Sequence, residues 1–123
     1  MTKGSQLQRL MLHAKIHRAR VTETQLDYTG SITLDPALMR TAGIMPYEKV
    51  LVANLSNGSR AETYCIEGRE GSGEVCLNGA AARLAQVGDR VIVMAFAVVA
   101  DPEASSGWAP RIVHVDDDNR PVD

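Results

Sequence analysis

Aromatic residues are scarce, at 4% of 123 residues, with one Trp and one Phe. A core must therefore rest on Val, Ile, Leu, Ala and Met. Cysteine is nearly missing: Cys65 and Cys76 are the only two, too few for a disulfide framework, and no second pair completes a zinc site. They read as small buried apolar side chains, and a reducing cytoplasm is the expected compartment. The net charge of -2 argues against a nucleic-acid partner held by a general positive field. Long apolar runs are missing as well. The longest, Val91 to Ala100, is too short to cross a bilayer as a helix and reads as a buried strand, so no membrane partner is expected. Met1 to Gln6 is polar, without the apolar stretch of a signal peptide. There is no P-loop, dinucleotide fingerprint or nucleophile elbow. His13 and His17 have the spacing of helical metal ligands, but they fall in a strand pattern with no Glu at the second position and no third ligand, so no metal is expected.

What the chain does contain is a series of short strands separated by turn residues. Leu10 to Val21 nearly alternates, with Leu12, Ala14 and Ile16 on one face and Lys15 and His17 on the other. Gln25 to Tyr28 leads into a Thr29-Gly30-Ser31 turn, followed by a strand from Ser31 to Leu34. Asp35-Pro36 starts a helix that passes through Leu38 and Met39 and stops at Gly43. Lys49 to Leu55 and Arg60 to Ile66 flank Ser56-Asn57-Gly58-Ser59, a hairpin signal. The glycine-rich turn Gly68 to Gly73 precedes a strand from Glu74 to Leu77, and Asn78 to Leu84 opens tightly into a short helix. Gly88-Asp89 turns into a strand from Arg90 to Ala100. A connection, Asp101 to Gly107, leads to a last strand, Arg111 to Val115, and the polar tail Asp116 to Asp123 is expected to be mobile. Short strands with few helices predict a mainly β fold, a small barrel, in a single domain spanning 1–123.

Gly30-Ser31 alone is an ordinary turn dipeptide. Its context is more specific. Lys15-Ile16-His17-Arg18, Tyr28-Thr29-Gly30-Ser31, Asn57-Gly58-Ser59-Arg60, Thr63-Tyr64 and Asn78-Gly79-Ala80-Ala81-Ala82 occur in this order and with these separations. Together, from about Leu10 to Asp118, they resemble the bacterial aspartate 1-decarboxylase family of pyruvoyl enzymes. The resemblance implies a double-psi β-barrel with a few short helices, a homotetramer with sites between subunits, and a proenzyme cut between Gly30 and Ser31 into chains 1–30 and 31–123. Some relatives need a maturation factor. Arg83 departs from the pattern, since family members often carry His after the alanine run.

The residue types suit that chemistry. The Ser31 hydroxyl is the implied attacker of the Gly30 carbonyl, and glycine tolerates the backbone distortion this requires. The tetrahedral intermediate needs a donor for its oxyanion, and Thr63 is the implied one. The product is a pyruvoyl group derived from Ser31, which condenses with the amine of L-aspartate as a Schiff base and takes up the electrons released with CO2. No side chain supplies such a sink. Tyr64 matches the proton donor to the carbanion. Arg60 is suited to grip a carboxylate through two parallel hydrogen bonds, and Lys15 adds a second positive charge. Gly79, Ala80 and Ala81 match a substrate-contacting loop whose small side chains expose backbone N–H groups. Asn78, His17 and Tyr28 are supporting residues. The implied function is conversion of L-aspartate to β-alanine for pantothenate and coenzyme A synthesis. Plainer readings stand beside these: Thr63 as a β-former, Tyr64 as a half-buried strand tyrosine, Gly79 to Ala81 as a tight turn. The alternative function is an uncleaved, non-catalytic β-barrel that serves as an interaction or DNA-binding module.

Overall fold

Alternation along the long strands builds the core. In the strand Arg90–Ala100, Val91, Val93 and Ala95 are fully buried, while the residues between them are half-exposed. In the first strand, Gln8–Arg20, Ala14 and Ile16 are fully buried, and so are Ala19 and, just beyond the strand, Val21. The buried set changes from even to odd positions because a bulge interrupts the register between Ile16 and Ala19, with Arg18 in the left-handed region at φ 67°. One extra residue reverses the facing of everything after it. The simple alternation expected from Leu10 to Val21 therefore breaks here. It also fails at the start, where Leu10 is exposed and Leu12 only half-buried.

The computed structural model describes residues 7–122, and the expectation for Met1 to Gln6 lies outside them. Nine strands are present among these residues: β1 (Gln8–Arg20), β2 (Glu23–Gln25), β3 (Ser31–Leu34), β4 (Lys49–Asn54), β5 (Arg60–Glu67), β6 (Val75–Asn78), β7 (Arg90–Ala100), β8 (Arg111–Val115) and β9 (Pro121–Val122). They neighbour one another in the order β2-β6-β3-β5-β4-β7-β1-β8-β9. The helical pieces are short: α1 (Pro36–Ala42), a 3-10 turn over Gly79–Leu84, and α2 (Asp101–Ala104). The fold is thus mainly β and barrel-like, wrapped around Ile16, Ile32, Leu34, Leu38, Val50, Cys65, Val75, Leu77, Val91 and Val93. Among the described residues no helix is long and apolar enough to cross a membrane.

The turn chemistry does what its residues dictate. Asp35 caps α1 by accepting from the Ala37 N–H at 2.9 Å, Pro36 occupies the first turn, and Gly43 ends the helix in the left-handed conformation. Asn57-Gly58 joins antiparallel β4 and β5, with Gly58 at φ 78°. The tail differs from expectation. Pro121–Val122 pairs with β8, and Asn119 is buried. Its side chain accepts from the Arg20 N–H at 2.7 Å and donates to the Arg20 and Gly73 carbonyls at 2.8 Å each. A polar segment expected to be mobile is instead tied down by backbone groups far away in the chain. The Asp101 to Gly107 connection likewise contains α2.

Candidate active site

β3 is short and lies inside the sheet, between β6 and β5. It lies parallel to β5, with Ile32 opposite Cys65, and antiparallel to β6, with Ser31 opposite Asn78 and Thr33 opposite Cys76. Strand alternation sends Ile32, Leu34, Val75 and Leu77 into the core and Ser31, Thr33, Cys76 and Asn78 to the other face. That second face is covered as well: Ser31 is 1% exposed, Asn78 2% and Cys76 2%. Four polar side chains are thereby packed away from water, where each needs a partner.

Asn78 supplies most of those partners. Its Nδ2 donates to Ser31 Oγ at 2.9 Å and to Thr33 Oγ1 at 2.9 Å. The Cys76 thiol donates to Asn78 Oδ1 at 3.3 Å. Ser31 Oγ has a further, long contact to the Thr29 carbonyl at 3.5 Å. Beside this cluster, Gly79 adopts φ +67°, and a Cβ placed there would lie 2.8 Å from Gly30 Cα, 2.9 Å from Gly30 N and 3.0 Å from the Tyr28 carbonyl. Only glycine lets the backbone at 79 approach the Gly30-Ser31 peptide this closely. Gly30 itself has open space where a Cβ would sit.

Of the residues singled out in the sequence, this chain gathers Tyr28, Gly30, Ser31, Asn78 and Gly79 at one place. Thr63 and Tyr64 lie just before Cys65 on the neighbouring β5, so the register brings Tyr64 alongside Ser31. Thr63 is half-buried, whereas Tyr64 is 37% exposed and stacks on Tyr47 with ring centroids 6.4 Å apart. Arg60 and Tyr64 share a face of β5 but stand about 13 Å apart along the strand. Ala80 is exposed and Ala81 buried, both on the 3-10 turn. Lys15 and His17 are not near this cluster along the sheet: they sit on β1, and β7, β4 and β5 separate β1 from β3.

His17 has a neighbour that the sequence did not single out. The His114 ring meets it edge-on at 5.3 Å, since β1 and β8 run parallel with the two residues opposite each other. Burial, then Lys15, His114 and Arg18, hold the His17 imidazole below its ordinary value. His13 is paired with Glu48, which leaves the His13–His17 spacing without a shared role. Thr33 and Cys76 also went unnoticed as parts of the Ser31 cluster. The only signal was their spacing, two residues from Ser31 and Asn78, and it becomes informative once the β3–β6 register is known. An apolar groove of about 330 Å³ between Leu10, Val50, Leu51 and Phe96 lies on another part of the sheet.

A small mainly β barrel with a buried hydroxyl-amide cluster at the head of β3 is a distinctive class of protein, and the comparisons with known proteins resolve it further. The family described as aspartate decarboxylase matches residues 7–122. An aspartate 1-decarboxylase of Thermoanaerobacter pseudethanolicus is 53% identical over 116 residues, covering 94% of this chain and 98% of the relative. Those of Ruminiclostridium cellulolyticum and Caldicellulosiruptor bescii are 57% and 56% identical, covering 89% and 91% of this chain and 85% and 87% of the relatives. The chain belongs to the aspartate decarboxylase family.

Proposed function

We propose that this chain decarboxylates L-aspartate to β-alanine and CO2, in the cytoplasm and for pantothenate and coenzyme A synthesis, after cutting itself between Gly30 and Ser31. The single domain spanning 1–123 then persists as chains 1–30 and 31–123. The observation that carries this reading, beside family membership, is the buried Ser31 hydroxyl held by Asn78 at 2.9 Å directly after a glycine against which Gly79 is packed.

In the cut, Ser31 Oγ adds to the Gly30 carbonyl carbon and loses its proton. The C–N bond then breaks and the nitrogen takes up a proton, leaving an ester. Thr63, on the neighbouring strand, is the donor proposed for the oxyanion, and the Asn78 N–H stabilises the charge that develops on Oγ. Loss of the Ser31 α-proton expels the Gly30 carboxylate. Water then displaces ammonia from residue 31 and leaves a ketone there. These residues fit a pyruvoyl group made in place, because the scissile peptide is already seated between Asn78, Gly79 and β5. Once formed, that group supplies a sink for the electron pair released when CO2 departs. Tyr64 returns a proton to the substrate carbon. Arg60 and Lys15 bind the two carboxylates of aspartate, and Gly79, Ala80 and Ala81 present backbone to it.

Because Lys15 and His17 lie strands away from Ser31 within one chain, the reading includes assembly into a homo-oligomer, a tetramer, in which a neighbouring copy completes each site. Intact-mass measurement of the purified protein tests it. Two chains ending and starting at 30 and 31 are expected, and Ser31→Ala should remain whole and inactive. A whole, active wild-type chain with an unmodified serine overturns the proposal.

A further inference from the structure

Asn78 is useful to Ser31 only in one of its two amide orientations. A carboxamide is nearly symmetric in shape, and a half-turn about its last bond exchanges an acceptor for a two-donor group. In the observed orientation Nδ2 meets Ser31 Oγ and Thr33 Oγ1, so an N–H is available to Oγ as it gives up its proton. Turned over, the amide would present Oδ1 to the same hydroxyls. It would then hold the Ser31 proton in place and offer nothing to the developing charge.

One neighbour distinguishes these states. The Cys76 thiol points at Oδ1 from 3.3 Å, and a protonated thiol is a donor, if a weak one. Burial, then the Glu23 carboxylate, a second acceptor beside the thiol, pushes this thiol up to about 12, so the sulphur keeps its proton at neutral pH. Thr33 Oγ1 takes the second N–H of the fork at 2.9 Å, but a hydroxyl donates as readily as it accepts and fits either orientation. All four side chains lie on one face of adjoining strands in fixed register, so none reaches its partner by chance of rotamer alone. We infer that Cys76 is a positioning residue for self-cleavage, setting the orientation in which the Asn78 amide faces Ser31.

The inference rests on the self-cleaving reading above, and its test separates the two. Full-length wild type, Cys76→Ala, Cys76→Ser and Cys76→Val are pulse-labelled in cells. The conversion of whole chain to two chains is followed with time, and a thermal melt is recorded for each uncut protein made in the Ser31→Ala background. Cys76→Ala and Cys76→Val, which both lack a donor toward Oδ1, should cut about tenfold more slowly, the factor carried by one hydrogen bond's worth of orientation. Cys76→Ser, which restores a donor toward Oδ1, should cut several-fold faster than Cys76→Ala. A structural role alone predicts no such rescue at equal melting temperature. Cutting at the wild-type rate by Cys76→Ala, or a Cys76→Ser variant as slow as Cys76→Ala, overturns the inference and leaves the self-cleaving reading intact. Should Cys76→Ala fail to fold, Cys76→Val decides, and a wild-type rate there overturns the inference. A wild-type chain that is never cut removes both.

Discussion

The two polar regions of this barrel are finished to different degrees. On β3 and β6, Ser31, Thr33, Cys76 and Asn78 satisfy one another within a single chain. On β1 and β8, Lys15 and His17 stand with His114 in a group of cationic and titratable side chains. There, His17 Nδ1 is buried without a hydrogen-bond partner among the described residues. A buried polar atom left unpaired costs about 1–3 kcal/mol. The first region is thus complete as folded, and the second carries a cost that a ligand or another copy of the chain would relieve. Under the proposed function this division has a simple sense: the bond to be cut is prepared by one chain, and the Lys15 charge that helps hold the substrate is lent to a neighbour.

Mixing two inactive chains is the strongest way to break that comparison. Ser31→Ala removes the attacking oxygen and Lys15→Ala removes a substrate charge, so homo-oligomers of either should lack activity. Co-expressed, they should form mixed assemblies in which an intact Lys15 faces an intact Ser31, and decarboxylation should reappear. No recovery in assemblies shown by mass to contain both chains would place both regions in the service of the same copy.

Tyr64→Phe sharpens the division between preparing the site and using it. The ring and its stacking on Tyr47 remain, and only the donated proton is lost. Cutting should proceed, while turnover of the mature protein falls by about 10²–10⁴, the usual worth of a general acid. Wild-type turnover would remove Tyr64 from the reaction. Gly79→Ala attacks the finished region instead. A Cβ 2.8 Å from Gly30 Cα in the left-handed region should cost about 2–4 kcal/mol of stability in a denaturant titration and slow the cut as well. An unchanged midpoint would mean that the backbone there yields easily.

The two regions were also unequally legible in the sequence. Where structure is decided by neighbours in sequence, the reading succeeded. Asp35-Pro36 and Gly43 delimit α1, Asn57-Gly58 turns β4 into β5, and Arg90 to Ala100 is a strand over its full length. The Gly30-Ser31 site was legible only through the resemblance of separated strings, because nothing local distinguishes that dipeptide from a turn. What escaped were features set by register between distant strands. Cys65 and Cys76 look alike in sequence, yet one lies in the apolar core and the other on the polar face against Asn78. Thr33 meets Asn78 across 45 positions. The bulge at Arg18 and the anchoring of the tail by Asn119 belong to the same kind. Each depends on which backbone lies opposite, and composition and periodicity do not carry that information.

The smallest expected effect concerns His114, whose meeting with His17 is likewise a product of register. His114→Phe keeps an aromatic edge against His17 and deletes a group of like charge. In the folded chain His17 is held below its ordinary 6.5, first by burial and then by Lys15, His114 and Arg18. A histidine lowered in this way leaves stability full above the ordinary value and erodes it as the pH falls through the interval below, because the unfolded chain binds the proton more readily. Removing His114 should raise the folded value toward 6.5, so the His17 share of the stability lost as the pH falls below 6.5 becomes smaller. The His17 ring protons, followed by NMR against pH, should report a midpoint above that of the wild type. A midpoint that stays put would mean burial and Lys15 alone hold the imidazole neutral. The unfinished region would then owe its character to β1 and not to the pairing of β1 with β8.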